Sequence, residues 1–91
     1  MKKFEKPFKK ELTDIISKTS HLCASILREY KRENGDFNNY QVRIVIGNHI
    51  VILREKTSEI EGEEAALNTD VVNRVMRDFY IGVISNLINN E

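Results

Sequence analysis

The chain has few of the residue types that form redox centres, zinc sites and glycine-rich phosphate-binding loops. Its 91 residues include no Trp, one Cys, one Pro, two His and four Gly. The lone cysteine, Cys23, excludes an internal disulfide and favours a reducing compartment. A zinc site would need about four Cys or His ligands, so we expect no metal and no cofactor. The chain also lacks the long apolar run of a signal peptide or membrane span, so we expect a cytoplasmic protein.

Net charge is absent as well, since 14 Lys and Arg balance 14 Asp and Glu. This balance argues against a uniformly basic nucleic-acid-binding protein. The charge is nevertheless uneven, because a basic patch opens the chain; its members are Lys2, Lys3, Lys6, Lys9 and Lys10. Together with Phe4 and Phe8, these lysines suit a nucleic acid or an anionic membrane surface, although terminal charge runs are usually solvated.

The centre of the chain has the pattern of a β-hairpin. Residues Tyr40–Lys56 read YQVRIVIGNHIVILREK, two runs rich in β-branched residues joined by Gly47-Asn48. Gly-Asn favours a two-residue hairpin loop, because Gly tolerates positive φ and Asn is among the next most tolerant residues. One face of this predicted hairpin is apolar and requires a cover of helices.

Helical periodicity surrounds this segment on both sides. Apolar residues recur every three or four positions from Phe8 to Tyr30, with Pro7 in the first turn and Gly35 just past the helix end. Ser58 and Glu61 fit a capping box for a short helix, and Asn68 or Thr69 offers the N-cap of a long last helix. We therefore predict one domain over residues 1–91, an α+β helix–β-hairpin–helix (αββα) fold in two layers, completed by dimerisation.

The second hairpin face is the predicted site of self-association. It combines Val45, Ile50 and Ile52 with Arg43, which is too apolar for water and too charged for a simple core. We expect these four residues to form a homodimer interface. Gly82 lies inside the last helix at a cost of about 1 kcal/mol relative to Ala, which indicates a close contact with another element.

No catalytic constellation is visible. Cys23 lies on an apolar stripe and is expected to be buried, and the four glycines are too far apart to form a phosphate-binding loop. We predict that the chain is not an enzyme. An alternative without a specific motif is an enzyme site assembled across the dimer from His49 and the acidic segment after it, which holds Glu55, Glu59, Glu61, Glu63, Glu64 and Asp70.

The order of elements resembles that of the MpsC family, which is named after a proposed sodium-translocating, membrane-potential-generating system. The matching residues are Gly35, Val42, Ile44, Ile46, Ile50, Val51, Leu53, Thr57, Glu61, Val71, Val72 and Arg77. The Gly-x-Gly-Pro loop and the Leu-Thr pair of that family are absent. The resemblance implies a soluble accessory module of a transport system and names no catalytic residues.

These patterns lead to one expected function and one alternative. We expect a small homodimeric binding or regulatory module with a protein partner, accessory to a membrane transport system. The alternative is a module that binds nucleic acid or an anionic membrane surface through the basic patch.

Overall fold

The computed structural model describes residues 7–89, which form four helices and no strand. The helices are α1 (Lys10–Asn34), α2 (Asn39–Glu61), the short α3 (Glu63–Ala66) and α4 (Thr69–Asn89). The predicted α+β class and the αββα order are therefore wrong for this part of the chain. The segment expected to form two strands lies entirely within α2.

α2 is a helix because its start is capped and one of its faces can be buried on two neighbours. The side chain of Asn38 accepts hydrogen bonds from the backbone N–H groups of Tyr40 and Gln41, at 2.9 and 3.3 Å. Leu53 and Thr57, four residues apart, are its buried positions. A lone hairpin is marginal in water, whereas burial on two helices offsets the cost of about 1 kcal/mol for Gly47 in the helix interior.

α1 matches the predicted first helix most closely. It ends at Asn34, and Gly35 follows in the left-handed conformation with φ of 82°. The Gly35 N–H donates to the Lys31 carbonyl at 2.8 Å, as expected of a helix C-cap. The helix starts at Lys10, however, so Pro7 precedes it and does not occupy its first turn.

The connection between α2 and α4 differs from the predicted one. Ser58 lies inside α2 and does not begin a helix, so the proposed capping box is wrong. Gly62, with φ of 97°, ends α2 and separates it from α3. Of the two predicted N-caps of α4, Asn68 is confirmed, because its side-chain oxygen accepts from the N–H groups of Asp70 and Val71 at 2.9 and 3.2 Å. The other candidate, Thr69, is the first residue of the helix.

The three long helices form an up–down–up bundle in which α1 contacts both of the others. α2 runs antiparallel to α1, since the Lys9 ammonium beside the start of α1 donates to the Ile60 carbonyl near the end of α2 at 3.1 Å. α4 runs parallel to α1: Ser20 bonds to Phe79, and the Arg28 guanidinium bonds to the Asn86 carbonyl at 3.1 Å. α2 and α4 approach each other least of the three pairs.

The core lies where these helices face α1. Its buried apolar residues are Leu12, Ile16, Cys23, Ala24, Leu27, Leu53, Ala65, Val71, Val75, Phe79 and Val83. Phe79 is the largest of the fully buried side chains, and its ring stacks on His49 with centroids 6.3 Å apart. Phe79 therefore joins α4 to α2 across the middle of the bundle.

The predicted close contact at Gly82 is confirmed at the crossing of α1 and α4. A Cβ on Gly82 would lie 2.6 Å from Ser20 Oγ and 2.7 Å from Ser20 Cβ. Ser20 is buried, and its hydroxyl lies 2.7 Å from the Ile16 carbonyl oxygen and 3.2 Å from that of Phe79. The one hydroxyl hydrogen is shared between these two acceptors, and its longer bond to the Phe79 carbonyl links α1 to α4.

Candidate functional site

An apolar groove opens where α2 and α4 diverge. Near the end of α2 the two helices pack closely, and the cavity between them beside Leu53 and Val75 has a volume of about 10 Å³. This volume holds about one water molecule. Toward the start of α2 they separate around a groove of about 250 Å³. We call this opening the α2/α4 groove, and it is the candidate site.

One side of the α2/α4 groove comes from α1, the α1–α2 loop and α2. Leu27 of α1 and Phe37 of the loop line it together with Val42 and Ile46 of α2. The positions of Val42 and Ile46 follow from helical geometry, because residues four apart share a face. This part of the groove therefore presents only apolar and aromatic side chains.

Phe37 is held by the loop that starts at Gly35. Its backbone N–H donates to the Asp36 carboxylate at 2.7 Å, and the Lys31 ammonium lies 5.6 Å from the centre of its ring. A cation at this distance from an aromatic ring is weakly attracted to it. The left-handed Gly35 thus ends α1 and lets the chain turn Phe37 toward the groove.

The opposite wall belongs to the second half of α4. Tyr80, Val83, Ile84 and Leu87 line it. The ring of Tyr80 packs against buried Phe79 with centroids 5.7 Å apart and a tilt of 43°. Because Phe79 is fixed in the core, this contact holds the Tyr80 ring at the rim of the groove.

Beside the groove, α4 carries a second apolar surface that faces solvent. Ile81, Ile84 and Ile88 are 56%, 55% and 66% exposed, respectively. Their spacing of three and four residues places them on one side of the helix, away from buried Val75 and Phe79. We call these three residues the α4 ridge; Ile84 belongs to the ridge and also lines the groove.

Another depression on the surface has a different character. An open site of about 450 Å³ lies on the outer side of α2 and α3, where Val51 and Leu67 are mixed with Arg54, Glu55 and Glu63. Charged side chains in such an open site remain solvated. The α2/α4 groove is therefore the more strongly apolar of the two.

The structure does not bring the four predicted interface residues together. On a strand, residues two apart share a face, but on a helix they are about 200° apart. Arg43 and Ile50 consequently lie on one flank of α2, and Val45 and Ile52 on another. Val45 and Ile50 also pack partly against the core of the same chain. The sheet face on which that prediction rested is absent from residues 7–89, and its claim of self-association stays a prediction.

The basic patch is only partly described. Lys2, Lys3 and Lys6 lie outside the described residues. Lys9 is tied to the end of α2, where its backbone N–H donates to the Glu61 carboxylate at 2.8 Å and its ammonium to Ile60. Lys10 is exposed in the first turn of α1. Lys9 therefore has a structural role in holding α1 against α2.

Cys23 and His49, the remaining candidates for a reactive side chain, are held in contacts within the fold. Cys23 is fully buried, and desolvation raises the pKa of its thiol, so it is neither accessible nor activated as a nucleophile. His49 Nδ1 lies 2.7 Å from the Val45 carbonyl oxygen, which can only accept, so Nδ1 carries a hydrogen.

Between residues 7 and 89 there is no group of three His, Cys, Asp or Glu side chains that could hold a metal ion. Over the same range, no helix is both long and apolar enough to cross a lipid bilayer.

Comparison with known proteins finds no matching family model, no matching curated protein and no matching solved structure. The resemblance to the MpsC family stays a prediction.

Sequence reasoning missed the groove and the ridge, although one signal pointed to them. From residue 79 to residue 89 the chain has no charged side chain, whereas 31% of the whole chain is charged. A helix end that is apolar on several sides is typical of a helix buried on several sides. The groove itself could not be predicted, because it depends on how α2 and α4 diverge.

Proposed function

We propose that this chain is a non-enzymatic interaction module that holds an apolar helix in the α2/α4 groove. The single observation that carries the proposal is the groove itself, which opens to solvent and is lined by apolar and aromatic side chains. Apolar helix faces commonly dock in such grooves through side chains spaced by three, four and seven residues.

The lining of the groove favours a helix over a small substrate. Sites for small molecules combine apolar walls with a few polar groups that orient the ligand. Here the Tyr80 hydroxyl is the one polar side-chain group among the lining residues. The groove thus offers contact area and shape, which suit aliphatic side chains projecting from a partner helix.

The charges around the groove are also typical of a protein interface. From residue 39 to residue 53, Arg43 is the one Lys, Arg, Asp or Glu that α2 carries. Interface cores are depleted of charged residues, with aromatic residues and Arg enriched. We place this module in the cytoplasm, because its one cysteine is a buried free thiol. An accessory role in membrane transport stays a prediction from the MpsC resemblance.

A dye titration tests whether the groove is an accessible apolar site. We expect 1-anilinonaphthalene-8-sulfonate, added to the folded monomeric chain, to shift the methyl NMR signals of Ile46 and Leu87 and to leave those of Val51 unchanged. Val42→Trp should fill the groove and weaken dye binding by about tenfold, equivalent to ~1.4 kcal/mol.

Val51→Trp is the matched control, since it makes the same substitution on the outer face of α2, where Val51 is 56% exposed. It should leave dye binding unchanged. If the wild-type chain binds no dye, or if both Trp variants bind it equally well, the groove is not the docking site.

A further inference from the structure

We propose that the occupant of the α2/α4 groove is the α4 ridge of a second copy, so that two chains form a two-fold symmetric dimer. This inference rests on the proposed function, since it names the partner of the same groove. In this dimer each chain inserts Ile81, Ile84 and Ile88 into the groove of the other.

The α4 ridge has the pattern that the groove requires of its occupant. Ile81, Ile84 and Ile88 occupy positions i, i+3 and i+7 of one helix, which is the anchor spacing of helix-in-groove recognition. All three are more than half exposed. The chain therefore carries both the receptor surface and a matching helical surface.

The positions of the two surfaces allow the contact to close on itself. Ile84 lines the groove and is also the central residue of the ridge. A two-fold axis beside Ile84 can therefore place each ridge against the opposite groove at the same time. Such an isologous contact uses every surface twice and stops at two subunits, whereas a head-to-tail contact would continue into rings or filaments.

The distribution of charge removes the main obstacle to bringing two identical surfaces together. A two-fold contact places like charges near each other, which costs energy when the charges face one another. The second half of α4, from residue 79 to residue 89, has no charged side chain. Two copies can approach through this segment without like-charge repulsion.

The size of the surface is in the range of a stable dimer. The molecule measures 47 × 24 × 21 Å. The groove and the ridge are formed near the start of α2 and by the last ten residues of α4, so they lie toward one end of the bundle. A face of half the 47 Å length and the full 24 Å width covers about 560 Å² in projection, before the depth of the groove is added, against about 800 Å² per partner in a standard interface. The two values are comparable, which supports a second copy as the occupant.

Sedimentation equilibrium of the full chain, over a wide range of protein concentration, tests the proposal. The chain mass is 10.6 kDa, and we expect the measured mass to rise to twice that value. Raising the salt concentration should leave the dimer intact, because its contact surface carries few charges. A mass that stays monomeric at the highest concentration would overturn the proposal.

Two charge variants locate the interface. Ile84→Glu and Ile88→Glu should weaken dimerisation by at least about 30-fold, as expected when a charge replaces a central apolar anchor. Leu22→Glu is the control: Leu22 is 59% exposed, like the ridge residues, but lies on α1. Far-UV circular dichroism checks that each variant is folded; Ile88→Ser replaces either ridge variant, and Leu22→Ser the control, if the charged variant is not.

The outcomes separate this inference from the proposed function. Loss of the dimer in the ridge variants but not in Leu22→Glu supports a second copy as the occupant. Loss in Leu22→Glu alone, or an unchanged dimer in the ridge variants, overturns it. A wild-type chain that stays monomeric at the highest concentration and still binds the dye in its groove would overturn the second copy while leaving the docking site in place.

Discussion

Gly82→Ala should destabilise the fold, although alanine is the better helix former. Alanine in place of an interior glycine usually stabilises a helix by about 1 kcal/mol. Here the added Cβ would lie 2.6 Å from Ser20 Oγ and 2.7 Å from Ser20 Cβ, so α1 and α4 must move apart. Overpacking of this kind costs about 1–3 kcal/mol, and loss of the Ser20–Phe79 hydrogen bond as the helices separate adds at most about 1 kcal/mol.

The net expectation is a loss of about 2 kcal/mol in the free energy of unfolding. With a urea dependence of about 1–2 kcal/mol per molar, the urea midpoint should fall by roughly 1–2 M. Circular dichroism measures this shift at one protein concentration for both chains, so that a difference in concentration does not alter the contribution of dimerisation to stability.

A double-mutant cycle decides whether the contact with Ser20 is the cause. Ser20→Gly removes both atoms that the new Cβ would meet, so Gly82→Ala should become stabilising by up to about 1 kcal/mol in that background. The change of sign follows from the geometry of this one crossing. If Gly82→Ala stabilises the wild-type chain, or if Ser20→Gly does not reverse its effect, the close approach of α1 and α4 is wrong.

Three further predictions test other parts of the structure by urea denaturation. Gly47→Ala should stabilise the chain by about 1 kcal/mol, because Gly47 lies inside a helix and an added Cβ meets nothing within 4 Å. Destabilisation would instead indicate that Gly47 adopts the positive φ of a hairpin turn and that α2 is not a continuous helix. Asn68→Ala should cost about 1 kcal/mol through loss of the α4 cap, whereas unchanged stability would exclude that role. Burial raises the folded-state pKa of the Cys23 thiol above its ordinary value of 9.0, so its contribution to stability is complete below pH 9.0 and is lost as the pH rises through the folded-state pKa. Cys23→Ala should reduce the alkaline loss of stability, and an identical pH profile for the two chains would contradict this.

The first helix and the caps could be predicted because their signals are local. Gly35 ends α1, and Asn68 caps the start of α4, each through backbone groups within a few residues. The close contact at Gly82 was also predictable, since a glycine inside an apolar helix is costly unless another element passes close to it.

The centre of the chain was mispredicted because its composition satisfies two periods at once. Between Val42 and Leu53 most residues are apolar, so alternate positions fit a strand while positions three and four apart fit a helix. The structure resolves the ambiguity through the Asn38 cap and burial on α1 and α4. Some apolar residues of α2, such as Ile44 and Val51, are exposed to solvent. Their presence on the outer side of the helix made the sequence look like the alternating pattern of a strand.

The candidate site was not predictable from local signals. The groove requires Leu27, Val42 and Leu87, which belong to three helices, to lie around one opening. Their placement depends on the crossing of α1 with α4 and on the divergence of α2, which are tertiary properties. The uncharged end of α4 was visible in the sequence, but it indicates only that a surface is covered and not what covers it.

The most direct test of the proposed dimer is an isotope-filtered NOE experiment on an equal mixture of labelled and unlabelled chains. We predict contacts between the Ile84 and Ile88 methyl groups of one chain and the Leu27 and Val42 methyl groups of the other. A sample of dimer mass in which intermolecular contacts come from Ile52 and its neighbours, and none from Ile84 or Ile88, would contradict the proposed dimer.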